Sequence, residues 1–176
     1  MNLNGPSFYD DPEVFAAYMQ RREQRDSPND TLELPLVKEL LGSPWGHTFL
    51  DLGCGDARFG KELLTAGATA YLGVDGSHKM VAAAQARLAG TAGIAVRCPL
   101  EHLSLPDATF DRACSRLPLH YVEDISRVFL GVNKALKLGG LFVFSVEHPV
   151  ITSSAASATG TGLRQNWVVD DYFVQG

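Results

Sequence analysis

The chain has 176 residues, 45% of them hydrophobic and 20% charged, which is the balance of one ordinary globular domain and short for two. Lys plus Arg number 15 against 20 Asp plus Glu, a formal net charge of −5, and the one tight basic pair, Arg21-Arg22, reads equally well as a solvated helix face, so no nucleic-acid partner is expected. Cys54, Cys98 and Cys114 show no CxxC spacing, the N-terminus carries no signal-peptide pattern, and no apolar run approaches the ~20 residues of a membrane span; these point to a cytoplasmic protein with no metal and no membrane partner.

Residues 1 to about 12 read as a loosely held polar entry. A helix is predicted over 13–24, with Val14, Phe15 and Tyr18 on one face. Ser27-Pro28-Asn29-Asp30 is a turn, and Thr31–Leu41 is a second helix with Leu34, Val37, Leu40 and Leu41 as its stripe. A strand over His47–Leu52 then runs into a helix over Arg58–Ala66. Ala70–Val74 is a strand, Ser77 caps a helix through Leu88, and Ile94–Arg97 is a strand. Phe110–Ser115 is a strand, Val122–Leu138 a long helix, and Leu141–Val146 a uniformly apolar strand expected to be buried on both sides. Strand and helix in alternation predict an α/β fold with a parallel sheet, and right-handed crossovers that put helices on both faces. The small-residue segment Thr152–Gly162 reads as a mobile loop, and the apolar pieces Trp167–Val169 and Tyr172–Val174 lack an obvious packing partner. The chain thus divides into a helical N-terminal lid (1–45), a Rossmann-like core (46–150) and a tail (151–176).

The informative stretch is Leu50-Asp51-Leu52-Gly53-Cys54-Gly55-Asp56-Ala57. A buried strand runs into two glycines spaced by one residue, and a helix follows. Such a turn lets backbone come close to a ligand at the end of the first strand, where nucleotides bind in open parallel sheets. A G-x-G alone reads equally as a tight turn. Asp75, 20 residues after Gly55, closes the next strand where a carboxylate accepts both hydroxyls of an adenosine ribose. Asp51 stands before the first glycine, where a carboxylate suits the cationic amino end of a methionine better than a phosphate. The dinucleotide pattern G-x-G-x-x-G would place its third glycine at Arg58, which obstructs helix–strand packing; G-x-G-x-G places Ala57 there, a tolerable substitute.

These residues resemble the class I S-adenosylmethionine-dependent methyltransferases, and in particular a type 11-like methyltransferase domain. Leu50–Gly55 is similar to the family's first motif and Leu72-Gly73-Val74-Asp75-Gly76-Ser77 to its second, with Met80 where a hydrophobic residue flanks the adenine. Leu100-Glu101-His102-Leu103 resembles the segment that contacts the adenine amino group, Thr109–Ser115 the fourth strand, and Leu136-Lys137-Leu138-Gly139-Gly140 the turn before the fifth. The match runs in order over about 48–148. The resemblance implies the sheet order 3-2-1-4-5 and S-adenosyl-L-methionine as cofactor. It implies cofactor contacts at Tyr18, Asp51, Gly53, Cys54, Gly55, Asp75, Gly76, Ser77, Met80, Leu100, Glu101 and Ser115. Pro99 stands where many members carry an acid at the adenine edge, and Leu138 replaces a usual proline. Two final family strands are not found in the sequence, so the chain reads as truncated, with an exposed fifth-strand edge that invites dimerisation.

His120, just past the fourth strand, is the best candidate for a general base, against a structural histidine as the competing reading. His148 beside Glu147 is second; His47, His78 and His102 read as surface or packing residues. Ser115-Arg116-Leu117-Pro118 lacks the paired-proline aromatic motif of nucleobase and amide methylators, which together with the acidic charge favours a small-molecule acceptor. Two other readings compete with this methyltransferase: a non-catalytic module that binds S-adenosylmethionine, and an NAD-binding oxidoreductase, which fails at Arg58.

Overall fold

Thr48–Leu52 (β1), Ala70–Asp75 (β2), Gly93–Arg97 (β3), Phe110–Arg116 (β4) and Leu136–Ser145 (β5) form one parallel sheet in the order β3-β2-β1-β4-β5 in the computed structural model, which describes residues 5–24 and 26–148. The order is the one expected from the sequence. Helices α1 (Pro12–Gln24), α2 (Leu34–Leu41), α3 (Arg58–Thr65), α4 (His78–Leu88) and α5 (Ile125–Ala135) accompany it. The tail segments 152–162, 167–169 and 172–174 lie outside the described residues. Among the described residues no helix is long and apolar enough to cross a membrane.

Strand alternation sorts the side chains into two cores. Phe49, Tyr71 and Cys114 point to the face that α2, α3 and α4 cover, where Val37, Leu41, Phe59, Leu63, Val81 and Leu88 meet them. Leu50, Leu52, Val74 and Ala113 point to the other face, against Val128 and Val132 of α5. The helix caps follow from single residues. Ser77 accepts the Met80 N–H at the start of α4, as expected, and Asp124 accepts the Arg127 N–H at the start of α5.

Asp124 is also why α5 begins three residues later than its periodicity predicted. At its other end the helix stops at Ala135 instead of Leu138, and β5 begins at once. Leu136 pairs with Phe110, the Thr109 N–H bonds the Ala135 carbonyl, and Lys137 reaches Asp111, so pairing with β4 overrides a helix-compatible sequence. The register slips between Phe110 and Arg112, and Gly139 takes φ 78° in the irregular stretch. The strand is not buried on both sides: as the sheet edge it leaves Leu141 38% and Phe144 45% exposed. Leu40, expected inward, is exposed as well. Near the N-terminus the expected loose entry gives way to a 3-10 helix over Gly5–Asp10.

At the N-terminal ends of β1 and β4, Asp111 gathers the Thr48 N–H (2.9 Å), the Thr48 hydroxyl (2.8 Å) and the Lys137 ammonium (3.0 Å). Burial alone would raise the Asp111 pKa, but the Thr48 and Lys137 bonds outweigh it and hold it near 2, below the ordinary 3.8. A depressed folded-state pKa stabilises the fold above the unfolded value and loses that stability as pH falls through the folded one. The melting temperature of Asp111→Asn should therefore lie below wild type at neutral pH, with the gap closing between about pH 4 and pH 2. A gap that persists unchanged at pH 2 would show that the network does not depend on this charge.

Candidate functional site

Between the end of β1 and the start of α3 the chain turns on Gly53 (φ 74°), Gly55 (φ 54°) and Ala57 (φ 54°). Left-handed backbone is free for glycine; at Ala57 it costs about 1–2 kcal/mol. The two glycines do different work. A methyl on Gly53 would lie 2.4 Å from Cγ of Pro118, so this glycine admits the segment that follows β4. A methyl on Gly55 would meet nothing within 4 Å, so open space lies beside this residue and a ligand can come close to the backbone there. The N–H groups of Gly53 and Cys54 both donate to the Val74 carbonyl, at 2.7 and 3.0 Å, which fastens the turn to β2.

Asp75 ends β2 and braces the same turn. Its carboxylate accepts the Gly55 N–H through one oxygen and the Ser77 N–H through the other, both at 2.9 Å. Burial raises the Asp75 pKa, and these N–H groups only partly offset it. The Gly76 N–H bears on the same carboxylate, which has about four acceptor positions, so acceptor capacity remains beyond the backbone groups. Gly76 follows with its carbonyl bonded by Arg97, and Met80 is buried behind the Ser77 cap.

Asp10 was not identified from the sequence. It accepts the Ser77 hydroxyl at 2.7 Å and the Lys79 N–H at 3.2 Å, so an acid from the 3-10 helix closes the start of α4. Burial works to raise its pKa, but the Ser77 and Lys79 bonds leave it lowered, and the group is firmly ionised. No sequence signal links residues so far apart.

The start of α3 is also closed by an acid. Asp56 accepts the Arg58 N–H at 3.3 Å through one carboxylate oxygen, and Arg87 holds the other at 2.6 Å. In a dinucleotide site this helix end carries the pyrophosphate. Here Asp56, itself paired with Arg87, already takes the Arg58 N–H that a pyrophosphate would use.

Above the turn lies α1. The Tyr18 ring packs edge-on against Tyr9 with centroids 5.1 Å apart, and the Arg21 guanidinium sits 5.8 Å from its centroid. Burial raises the phenol pKa; Arg22 works against this and Tyr9, Asp56 and Asp75 add to it, so Tyr18 lies within the electrostatic reach of both acids of the turn. Below the turn, Asp51 is 3% exposed and faces the α3 side of the sheet, where it accepts the Tyr71 phenol at 2.7 Å. Burial raises its pKa, with Tyr71 and Arg116 opposing. The sequence reading placed Asp51 at the mouth of the cleft; the structure puts its carboxylate beneath the turn.

The close helix–strand packing expected of the third glycine falls to Gly60, where a methyl would lie 2.1 Å from the Tyr71 ring. A lone glycine inside a helical pattern was the available signal. Cys54 is buried with its thiol toward the Gly55 carbonyl, and burial pushes its pKa up, so it is inert. Ser115 is fully buried and donates its hydroxyl to the Leu52 carbonyl at 3.1 Å, clamping β4 to β1.

On the remaining side, Leu100–His102 forms a 3-10 turn, with Leu100 packed on the α5 core and the Glu101 carboxylate accepting the Glu123 N–H at 3.2 Å. That bond joins the segment after β3 to the segment after β4. There Leu117, although followed by Pro118, takes φ 66°. Such a conformation is costly for a non-glycine residue and more so before proline. His120 follows on a 3-10 turn, its ring 4.1 Å from Tyr121, with both nitrogens shielded from solvent and without a hydrogen-bond partner among the described residues. His47 precedes β1, at the opposite end of the strand from the glycine turn, and His78 opens α4. His148 belongs to a separate unit that begins at Val146.

Comparison with known proteins agrees with this geometry. A family described as a methyltransferase domain matches residues 50–144. The crystal structure of an S-adenosylmethionine-dependent methyltransferase from Mesorhizobium loti is 37% identical with a TM-score of 0.74, covering 85% of this chain and 69% of that one. An uncharacterised protein of Haemophilus influenzae is 32% identical over 155 residues, 85% of this chain and 61% of its own length. A malonyl-[acyl-carrier protein] O-methyltransferase of Pseudescherichia vulneris is 28% identical over 162 residues, 90% of this chain and 59% of its own. The chain thus spans about three fifths of the length of the curated relatives it matches. A glycine turn with open space beside Gly55 and an acid closing β2, met in this order on this sheet, agree with those matches, which give one assignment: the chain belongs to the class I S-adenosylmethionine-dependent methyltransferases, whose cofactor is S-adenosyl-L-methionine.

Proposed function

We propose that the protein transfers a methyl group from S-adenosylmethionine to a small-molecule acceptor on the β4 side of the glycine turn. The observation that carries this reading is the open space beside Gly55, bordered by Asp75. The cofactor, when bound, supplies a methyl on a sulfonium sulfur, a leaving group that needs no proton. Asp75 would accept the ribose hydroxyls, and Gly55 and Gly76 would give the backbone room. Met80, Leu100 and Glu101 would border the adenine. Asp51, Gly53, Cys54, Ser77 and Ser115 would serve by holding the turn, and Tyr18 on α1 would keep water out. Orientation in such a dry site is worth about 7–11 kcal/mol.

His120 would take the proton of a neutral nucleophile. Its two shielded, unpartnered nitrogens and the strained Leu117 just before it support this role, because buried polar atoms in folded proteins otherwise find partners. The absence of the paired-proline motif and the net charge of −5 support a small acceptor and no nucleic acid. The name of the Pseudescherichia relative makes carboxylate-bearing compounds one class to try. Three free thiols support a reducing compartment, the cytoplasm.

The test is formation of S-adenosylhomocysteine by the purified chain from S-adenosylmethionine and small acids, phenols and amines. Product that appears only with an acceptor supports transfer. Micromolar cofactor binding with no product from any class would favour the non-catalytic binding module instead.

A further inference from the structure

The acidic cofactor turn has a basic neighbour. A cavity of about 470 Å³ opens where the end of α1, the wide helical turn Asn29–Glu33, α2 and α3 meet. Its wall carries Arg22, Lys38, Arg58 and Arg116 against Asp30 and Glu62, with the Phe59 ring among them. The excess of cations runs opposite to the net charge of the chain. The cations come from four separate elements, and three of them are nearly buried: the side chains of Arg22, Arg58 and Arg116 are 12–16% exposed.

Three of the four cations have a carboxylate partner within 3.0 Å. Arg22 pairs with Asp30 at 3.0 Å, Lys38 with Glu62 at 2.8 Å, and Arg116 with both oxygens of Glu33. Arg58 does not. One of its amino groups donates to the Arg22 carbonyl; the other comes only within 3.8 Å of Asp56, whose same oxygen Arg87 already holds at 2.6 Å. Arg58 and Arg87 therefore share the single carboxylate of Asp56, with Arg87 the nearer, which leaves Arg58 incompletely matched in charge. A shielded guanidinium in this state favours a bidentate anion.

The position gives the cavity its meaning. Arg58 directly follows the glycine turn, and Arg116 ends β4, two residues before the Pro118 that packs on Gly53. The cavity thus flanks the turn on the β4 side, away from Asp75 on β2. We infer that it docks an anionic group, a carboxylate or phosphate of the methyl acceptor, on Arg58. The inference rests on the methyltransferase reading and narrows its acceptor to compounds that carry a fixed negative charge apart from the methylated atom.

The test is calorimetric titration of the full chain with inorganic phosphate and, separately, with S-adenosylhomocysteine, on wild type, Arg58→Gln and Arg58→Lys. Phosphate should bind wild type at one saturable site. It should weaken about tenfold to a hundredfold in Arg58→Gln, the range of charge-assisted hydrogen bonds, and less in Arg58→Lys, which keeps the charge. S-adenosylhomocysteine affinity should change less than about twofold in both variants, and that also shows that they fold. Phosphate that fails to bind, or binds Arg58→Gln as well as wild type, overturns the inference. Equal weakening of both ligands overturns it too, because the anion is then the carboxylate of the cofactor. Loss of S-adenosylhomocysteine binding in wild type overturns the methyltransferase reading itself, and the phosphate titration tells the two failures apart.

Discussion

Asp75→Ala should weaken S-adenosylhomocysteine binding at least about a hundredfold while the sheet still folds. The size of the loss follows from the proposed role of Asp75, whose carboxylate accepts the Gly55 and Ser77 N–H groups through different oxygens and would accept the two ribose hydroxyls beside them. A hydrogen bond to a charged group is worth about 1.5–3 kcal/mol. Two together give about 3–6 kcal/mol, or about 10²–10⁴ in the dissociation constant. The variant also frees the N–H groups of Gly55 and Ser77, so the turn loses its brace and the loss tends toward the upper end. Asp75→Asn separates these parts. Its amide keeps one acceptor oxygen, so its affinity should fall between wild type and alanine. A loss below about tenfold in Asp75→Ala would mean that the ribose does not sit on this acid.

His120→Ala should lower turnover about 10²–10⁴-fold, the usual range for removing a general base, with S-adenosylhomocysteine affinity changed less than about twofold. The two readouts should diverge, since His120 lies on the turn after β4 and Asp75, the residue proposed to hold the ribose, ends β2. His120→Gln restores polarity without a base and should remain nearly as slow. If both variants turn over like wild type, the acceptor reaches the methyl group already ionised, as a carboxylate would. If binding and turnover fall together, the histidine supports the fold, and the shielded nitrogens reflect packing.

The parallel α/β sheet, the glycine turn and the position of Asp75 were legible in the sequence because each depends on local pattern: alternation of strands and helices, a G-x-G after an apolar run, and an acid at the end of the next strand; the strand order followed only from the family resemblance. Ser77 was legible for the same reason, as a cap directly ahead of its helix. The rest depends on partners that sequence distance hides. Asp10 reaches Ser77 across 67 positions, and Glu33 reaches Arg116 across 83. Neither acid differs in type from its neighbours Asp11 and Glu39. Gly60 was passed over although its lack of a side chain is what admits the Tyr71 ring against α3. The boundary between α5 and β5 was misread because Leu136 fits the helical period, and only its pairing with Phe110 turns it into a strand residue. Asp51 shows the limit most clearly. Its place before the glycines suggested the cleft, yet strand alternation turns it to the side where Tyr71 holds it.

The central claim is that the open glycine turn, with Asp75 at its side and Asp56 taking the first N–H of α3, holds an adenosine cofactor other than a dinucleotide. It is tested most directly by titrating the wild-type chain with S-adenosylhomocysteine and with NADH under the same conditions. Micromolar binding of S-adenosylhomocysteine with no detectable binding of NADH is the predicted result. Binding of NADH without S-adenosylhomocysteine would contradict it, since a pyrophosphate would then be sitting against Asp56 at the start of α3.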